Sequence, residues 1–219
     1  MTDTWDGEYS AGGEFTVVEE ETLNIESNGS FLTFSKRTTT SKTDETKIDY
    51  WYSAEKGTYT FTEGVITWTR THSSYTKDAP FDPITLPSDE WHVYASSYIE
   101  SEPIVIIDGK LCPGAFRRAG TGTGLIGTWS KNSFQTQNGE TEYRKLDHIF
   151  TDTTFTYNHY ISTSTVFGEP KYTGTFSYTL PGNNKIIITI NDKSQTDDIM
   201  FAGDWLVLGD SNIYTKVNP

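Results

Sequence analysis

The side chains best able to bind a metal, move a proton or attack a substrate are four histidines and a single cysteine. His159 alternates with Phe155 and Tyr157, so a two-residue period puts all three on one face of a strand. On that face His159 is either a polar anchor for a ligand or a core histidine hydrogen-bonded to a neighbour. The histidines lack metal-ligand spacing such as the i, i+4 pair of a zinc-binding helix. The four are His72, His92, His148 and His159.

Cys112 is the only cysteine, so it has no partner for an internal disulfide. No basic residue is visibly paired with it, and an inert, half-buried thiol is the favoured interpretation. The sequence has no Gly-x-Ser-x-Gly elbow, and its glycine run over 120–124 precedes a strand rather than a phosphate-binding helix. We therefore expect no catalytic residues, no metal and no cofactor; an enzyme acting on a lipid-like substrate ranks as a third hypothesis.

Aromatic residues are abundant, with 6 Trp, 13 Tyr and 12 Phe. An eight-stranded barrel is just wide enough to be filled by its own side chains or to hold one small ligand. The aromatic residues therefore allow two interpretations. They either fill the interior of at least one barrel, or they line an apolar pocket that also carries a few polar groups. The candidate inward positions are Tyr59, Trp68, Trp129, Phe155, Tyr157, Phe176 and Tyr178.

Strands must position these side chains, because alternation of apolar residues with threonine or serine recurs while helical periodicity is almost absent. Phe176–Leu180 shows the pattern, which is typical of a half-buried antiparallel strand. Turn signals such as Asn28-Gly29 separate the strands. About eight strands per half, joined by short connections, are expected to pair as an up-and-down meander and to close into a barrel.

The sequence contains two copies of one β-strand unit. Gly7-Glu8-Tyr9 corresponds to Gly127-Thr128-Trp129, and Gly57–Phe61 corresponds to Gly174–Tyr178, at offsets of 120 and 117 residues. The duplication predicts an all-β fold of two tandem antiparallel eight-stranded barrels. Their predicted bounds are residues 1–119 and 125–219. The first copy is longer because of residues 76–103, which contain four prolines and predict a loop across one barrel mouth that returns as a strand over 91–97.

The chain is acidic, with a net charge of −13, and its first 119 residues carry 10 basic against 20 acidic side chains. This charge disfavours nucleic acid as a partner. No apolar run approaches the ~20 residues that span a bilayer, so this segment predicts no membrane insertion. The polar, cysteine-poor composition favours an exported bacterial protein with its signal removed, with a cytoplasmic location left open. The expected state is a monomer.

Gly127-Thr128-Trp129 at the start of a strand, followed by an antiparallel meander, resembles the lipocalin-like (calycin) superfamily. The resemblance covers nearly the whole chain as two copies. It implies that Trp129 plugs the closed end of the second barrel and that a basic residue from the last strand packs over it. Lys216 would take that part in the second half, and Arg117 or Arg118 in the first. The first copy departs from the motif in having Tyr9 in place of tryptophan.

The resemblance implies a non-enzymatic binding protein that holds a small apolar ligand in a barrel interior, with the second copy as the better candidate. The alternative hypothesis is a surface lipoprotein whose filled barrels serve as a structural module or bind a protein or glycan. If a ligand exists, the two-residue period points five side chains at it. These predicted ligand-binding residues are Phe155, Tyr157, His159, Phe176 and Tyr178.

Overall fold

The computed structural model describes residues 2–11, 15–44, 46–119, 124–209 and 214–217. Within these ranges the chain is almost entirely β-strand, which confirms the predicted all-β class. No helix in the described part of the chain is long and apolar enough to cross a membrane. A single 3-10 turn, Ser88–Glu90, precedes the sixth strand. In chain order the strands are β1 Thr2–Ala11, β2 Phe15–Glu26, β3 Ser30–Ser41, β4 Ile48–Thr62, β5 Val65–Lys77, β6 His92–Ile107, β7 Lys110–Pro113, β8 Phe116–Ala119, β9 Gly127–Gln137, β10 Glu140–Phe150, β11 Thr154–Ser162, β12 Tyr172–Gly182, β13 Lys185–Ile190, β14 Lys193–Ala202, β15 Trp205–Leu208 and β16 Tyr214–Val217.

The strands form where alternation and turn chemistry agree. Along β5, Ile66 and Trp68 are buried while Val65 is exposed, as one buried face requires. The β4–β5 connection is a two-residue turn in which Glu63 and Gly64 both have positive φ, +52° and +81°. Tight hairpins need such residues because their backbone twist matches that of the strands.

Strands β8 to β15 form a closed antiparallel barrel of eight strands. Each strand pairs with the next along the chain, and β15 returns to β8 through Trp205 opposite Arg117 and Leu206 opposite Phe116. Seven of these strands, β9 to β15, lie where the sequence predicts the second barrel. The eighth is β8, which comes from before the predicted boundary.

The other strands form a sheet that continues from this barrel, so one closed barrel stands where two tandem barrels were predicted. Strands β1 to β6 pair in chain order, β7 pairs with β6, and β16 lies between β7 and β1. Strand β6 also pairs with β9, where Ser101 lies opposite Phe134. The two halves of the chain therefore share one continuous set of strand pairings.

The short strands β8 and β16 cross between the halves, which corrects the predicted positions of the basic residues. The Arg118 guanidinium lies 4.0 Å from the ring centroid of Trp129 and donates hydrogen bonds to the carbonyl oxygens of Gly124 and Ile126. Arg118 thus covers the second-half tryptophan that was expected to meet Lys216, because β8 pairs with β9. The domain boundary near residues 119–125 stays a prediction.

Backbone register also corrects the alignment of the two copies. Trp129 lies opposite Arg118 on β8, and Trp5 lies in the same way opposite Lys216 on β16. The position that matches Trp129 is therefore Trp5, and not Tyr9 of the Gly7-Glu8-Tyr9 alignment.

A second correction concerns the paired tyrosines. The Tyr59 hydroxyl donates to the carbonyl oxygen of Glu26 at 3.0 Å, and the Tyr178 hydroxyl donates to that of Thr151 at 2.7 Å. Glu26 is the last residue of β2 and Thr151 directly follows β10, the second strand of each half, so Tyr59 matches Tyr178. The sequence alignment matched Tyr59 with Phe176, two residues away.

Buried hydrophobic side chains form three clusters. Inside the closed barrel are Phe116, Leu125, Trp129, Phe150, Phe155, Ile186, Ile188, Ile199 and Leu206. The inner face of the first-half sheet carries Leu23, Phe31, Ile66, Trp68, Ile104 and Leu111. A smaller cluster joins β6 and β7 to β15 and consists of Ile107, Cys112, Ala115 and Val207.

The proline-rich loop does not cross a barrel mouth as predicted. Its Phe81 ring packs edge-on against Phe34, with centroids 5.6 Å apart. Phe34 is on the outer face of β3, since Phe31 three residues earlier is buried on the inner face. The Lys56 ammonium sits 3.9 Å from the Trp91 ring centroid. The loop thus covers the outside of the sheet, held there by aromatic contacts, before β6 begins at His92.

Candidate functional site

The five residues predicted to bind a ligand fall at two depths of the barrel interior. Phe155 belongs to the buried cluster and its ring stacks on Phe150, with centroids 4.9 Å apart. The Tyr178 hydroxyl is engaged by the Thr151 carbonyl. These two side chains form a packed floor. Tyr157 and His159 lie farther along β11, and Phe176 lies opposite Phe155 with its ring turned towards Gly174, the residue opposite Tyr157. The binding of a ligand by any of the five stays a prediction.

His159 has a buried ring nitrogen, Nε2, with no hydrogen-bond partner among the residues that the structure describes. Its ring neighbours are Tyr157 and Tyr172, with centroids 6.2 and 5.8 Å away. Burial first, and then the positive charge of Arg144, lower the pKa of His159, so the imidazole is neutral at neutral pH. An unsatisfied buried nitrogen costs about 1–3 kcal/mol, and a polar group of a ligand would recover that cost.

Phe176 leans towards the same part of the interior. A Cβ atom on Gly174 would lie 2.6 Å from the Phe176 ring, so the ring folds back over the glycine. Gly174 lies opposite Tyr157 in the β11–β12 register. The Phe176 ring therefore occupies the space beside Tyr157, and only a glycine at position 174 leaves room for it there.

A polar opening of about 1120 Å³ lies at the ends of β9, β10 and β11. Arg144 on its wall pairs with Ile161, and the next inner row of the same two strands pairs Leu146 with His159. His159 thus lies one row inside the opening. The wall residues that bear on this argument are Gln135, Gln137, Glu142, Arg144, Ile161 and Ser162.

Sequence reasoning missed the β9 and β10 side chains of this opening. Arg144 Nε donates to Glu142 Oε1 at 2.6 Å, so the cation at the opening is already paired. The alternation that begins at Trp129 continues through Lys131 and Gln135 on the inner face, and this period would have found them. The polar residues there obscured the strand pattern, because alternation is usually recognised from apolar side chains.

The inner face of the first half carries a second polar network. Arg70 contacts Glu55 at 2.7 Å and Glu100 at 2.8 Å, and the Tyr94 hydroxyl donates to Glu55 at 2.9 Å. Each charged group here has a partner, so the network reads as structural. The apolar end of the same half has a pocket of about 430 Å³, whose wall includes Ile25, Tyr59, Ile66, Ile104 and Leu111.

Two of the other reactive side chains, His148 and Cys112, are buried. The His148 ring stacks on Phe116 with centroids 4.1 Å apart, and burial lowers its pKa to about 3. Burial likewise raises the pKa of the Cys112 thiol, which suits the inert thiol expected from the sequence. In the described ranges, no group of three or more His, Cys, Asp or Glu side chains is placed to hold a metal ion.

Comparisons of the chain with family models, with curated proteins and with solved structures each found no match. An all-strand chain with one closed eight-stranded antiparallel barrel is compatible with a lipocalin-like fold.

Proposed function

We propose that this protein is a non-enzymatic binding protein of the lipocalin-like type, which holds a small, largely apolar molecule inside the closed barrel. The observation that carries the proposal is that Nε2 of His159 is buried one row inside a polar opening and has no hydrogen-bond partner within the described ranges of the chain. Aromatic surfaces at Tyr157 and Phe176 supply apolar contact, and the imidazole orients one polar group of the ligand.

The packing of the barrel decides which predicted residues contact the ligand. Phe155 is in the buried cluster and the Tyr178 hydroxyl is engaged, so both support the ligand from below. Tyr157, His159 and Phe176 are the direct contacts in this proposal. A neutral imidazole can accept or donate a hydrogen bond, which suits a hydroxyl or carbonyl group on the ligand.

Mass spectrometry of the purified protein under denaturing conditions tests the proposal. A small molecule should be released from the wild type and depleted in His159→Phe, which keeps an aromatic ring but removes the nitrogens. Asn158→Ala is the matched control, because Asn158 points outward and accepts a hydrogen bond from Thr173. No released molecule from the wild type, or equal amounts from His159→Phe, would contradict the proposal.

We also propose that the chain is a duplicated calycin-type protein in which the first-half strands, completed by β16, make a second barrel. The matching hydroxyl bonds of Tyr59 and Tyr178 support this, as do the pairings of β16 with β1 and β7. Hydrogen exchange tests it, because amides of Tyr214–Val217 should be protected as strongly as those of β7. Exchange there at the rate of an unstructured peptide would rule the second barrel out.

The second candidate function is an exported surface module whose filled barrels are structural or bind a protein or glycan. The observation that favours it is the dense floor of the closed barrel, where Trp129, Phe150 and Leu206 are almost completely buried. This candidate predicts that no small molecule is released from the wild type, so the same measurement separates the two.

A further inference from the structure

The first half of the chain has an apolar cavity of about 430 Å³ at the end that carries the Glu63-Gly64 turn. This volume lies in the range of about 300–1,000 Å³ that is typical of small-molecule sites. The backbone N–H of Ile104 donates to the carbonyl oxygen of Gly64 at 2.9 Å, so the turn borders the cavity. Each of the eight described residues on the wall is aliphatic or aromatic, and the wall includes Ile25, Tyr59, Phe61, Ile66, Ile104 and Leu111.

The inner face of this half reaches solvent at the same end. Tyr59 packs against the buried cluster of the first half, whereas Phe61, two residues later on the same face of β4, is 60% exposed. Likewise Ile104 on β6 is buried, and Ile106 is 59% exposed. Inward-facing apolar side chains that become exposed define a mouth through which a molecule can enter the cavity.

A comparison of the two halves explains why there is space here. The matching tyrosine hydroxyl bonds place Ile25 of the first half at the position that Phe150 holds in the second. The register agrees, because each of the two lies opposite a phenylalanine on the next strand, Phe31 or Phe155. In the second half the Phe150 ring packs edge-on against Tyr178, with centroids 5.4 Å apart. The smaller Ile25 leaves the space beside the matching tyrosine of the first half open.

The wall of the cavity suits hydrocarbon and offers nothing to a charge. Its described part has one hydroxyl, that of Tyr59, which already donates to the carbonyl oxygen of Glu26 at 3.0 Å. No acidic or basic side chain belongs to the described part of the wall. A carboxylate carried into these surroundings would lose hydration without gaining a cation.

The strand ends around the mouth also disfavour an anionic ligand. Exposed acidic residues follow or end three of the strands that line the cavity, Glu26 on β2, Glu63 after β4 and Asp108 after β6. The exposed Lys110 at the start of β7 is the basic residue beside them. A negatively charged head at the mouth would therefore meet more negative than positive charge.

We propose that this cavity binds the apolar chain of an uncharged amphiphile, such as a medium-chain alcohol, and leaves the hydroxyl at the mouth. The site is separate from the one at His159. Gln135 at that opening lies opposite Glu100 of β6, and Ile104 is four residues farther along the same strand, about 13 Å away. The site also does not depend on β16, because its described wall comes from β2 and from β4 to β7.

Intermolecular nuclear Overhauser effects in the full chain test the site, with octanol as the probe. Methyl labelling of isoleucine gives signals for Ile66 and Ile104 on the cavity wall and for Ile186 and Ile188 in the closed barrel. Octanol should contact the Ile66 and Ile104 methyl groups. No contact with either of them would overturn the proposal, whatever the barrel signals do, so the result is independent of the ligand proposed at His159.

Calorimetric titration tests the chemical class of the ligand. Each methylene group added between hexanol and octanol should tighten binding about fourfold, as the burial of one such group predicts. Octanoate at neutral pH should bind at least about tenfold more weakly than octanol, because its carboxylate finds no cation on the wall. Equal affinities for octanol and octanoate would overturn the assignment of an uncharged ligand.

Variants locate the binding. Ile25→Phe introduces the side chain that the second half has at this position, and it should eliminate octanol binding by filling the cavity. Ile48→Phe is the matched control, because Ile48 is 42% exposed at the opposite end of β4, and its replacement should change nothing. Undiminished octanol binding in folded Ile25→Phe would overturn the site.

A second variant keeps the test decisive if Ile25→Phe does not fold. Phe61 is exposed at the mouth, so Phe61→Ala should keep the fold and weaken octanol binding severalfold. Unchanged binding in this variant would overturn the mouth. A second copy of the chain is the other occupant that an exposed apolar rim fits, and sedimentation distinguishes it. The wild type should sediment as a monomer; a dimer that Phe61→Ala disperses and that binds no octanol would overturn the proposal.

Discussion

At the scale of single residues, Arg118 packs over Trp129, a position that the resemblance assigned to Lys216. Replacing it with methionine keeps the apolar stem but removes the stacking on Trp129 and two hydrogen bonds to carbonyl oxygens. The expected loss in the free energy of unfolding is about 1–3 kcal/mol. Urea denaturation measures it, with Arg117→Met as the control.

Arg117 is a suitable control because it is exposed and its contact with Trp205, at 5.8 Å from the ring centroid, is at the outer limit of a cation–π interaction. Its replacement should change the stability by less than about 0.5 kcal/mol, as is usual at exposed positions. Equal losses for the two variants would mean that the Arg118 contacts contribute nothing specific.

His148 predicts an acid dependence of stability. Its pKa is lowered from 6.5 to about 3 in the folded chain, so below pH 6.5 only the unfolded chain takes up this proton. The folded state is therefore fully stabilised by the neutral His148 above pH 6.5, and this contribution is lost progressively as the pH falls towards 3. The loss should reach up to roughly 4 kcal/mol, measured by urea denaturation at a series of pH values.

His148→Phe tests the cause of that loss, since phenylalanine can still stack on Phe116 but cannot be protonated. The variant should lose less stability between pH 6.5 and 4 than the wild type. Parallel curves for the two proteins would assign the acid sensitivity to other groups.

Glycines show how sequence repetition and physical cause can differ at the residue scale. The sequence alignment pairs Gly57 with Gly174, which suggests one shared reason for both, but the hydrogen bonds of Tyr59 and Tyr178 shift that alignment by two residues. In the structure a Cβ on Gly57 would lie 1.9 Å from the Thr69 carbonyl oxygen, where a bulge brings β4 and β5 together. A Cβ on Gly174 would instead meet the Phe176 ring. Such close approaches depend on tertiary contacts, so the sequence could locate these glycines but not explain them.

At the scale of elements, β8 closes the eight-stranded barrel, because it pairs with β9 on one side and with β15 on the other. Phe116 lies at its start and is buried in the core of the closed barrel, although it precedes the predicted boundary. Phe116→Ala should lower the free energy of unfolding by about 3–5 kcal/mol, as large-to-small changes in a core do. It should also perturb the fluorescence of Trp129, which belongs to the same cluster.

The matched control for that variant is Phe61→Ala. Phe61 is 60% exposed, so its loss should cost far less than that of Phe116. If Phe116→Ala were no worse than Phe61→Ala, the assignment of β8 to the barrel would be wrong.

Local pattern predicted most strands of the second half, because alternation and turn residues act within about ten residues of each other. For example, β11 spans Thr154–Ser162 and contains Phe155, Tyr157 and His159, whose alternation predicts a strand there. The partners of β8 and β16 could not be predicted in this way. Each is only four residues long, and its place depends on competition between equivalent edges in the two halves.

Only the part of the candidate site formed by β11 and β12 was predictable from the sequence. The alternation of β11 and β12 predicted the inward face that carries Tyr157 and Phe176, since these strands are rich in aromatics. Arg144 and Lys131 on the neighbouring strands were missed because polar inner faces carry no apolar signal. That His159 Nε2 has no hydrogen-bond partner among the described residues is a property of the three-dimensional packing, which no sequence period encodes.

At the scale of the whole molecule, the halves are joined in three ways. Strand β6 pairs with β9, the exchanged strands cross between halves, and a cluster containing Cys112 and Val207 packs between them. The core of the closed barrel includes Phe116 from before the predicted boundary, and the cluster with Cys112 and Val207 draws on both halves. Cooperativity should therefore extend across the chain, because disrupting one half exposes surface of its neighbour.

We expect the full chain to unfold in a single transition. Ile104→Ala removes a side chain from the first-half cluster and Phe150→Ala removes one from the barrel cluster. Both variants should shift the same urea transition to lower concentration, and circular dichroism and tryptophan fluorescence should report coincident curves. Independent halves would instead give two transitions, each moved by only one of the variants. That outcome would mean that the exchanged strands and the β6–β9 pairing do not couple the halves energetically, whatever their geometry.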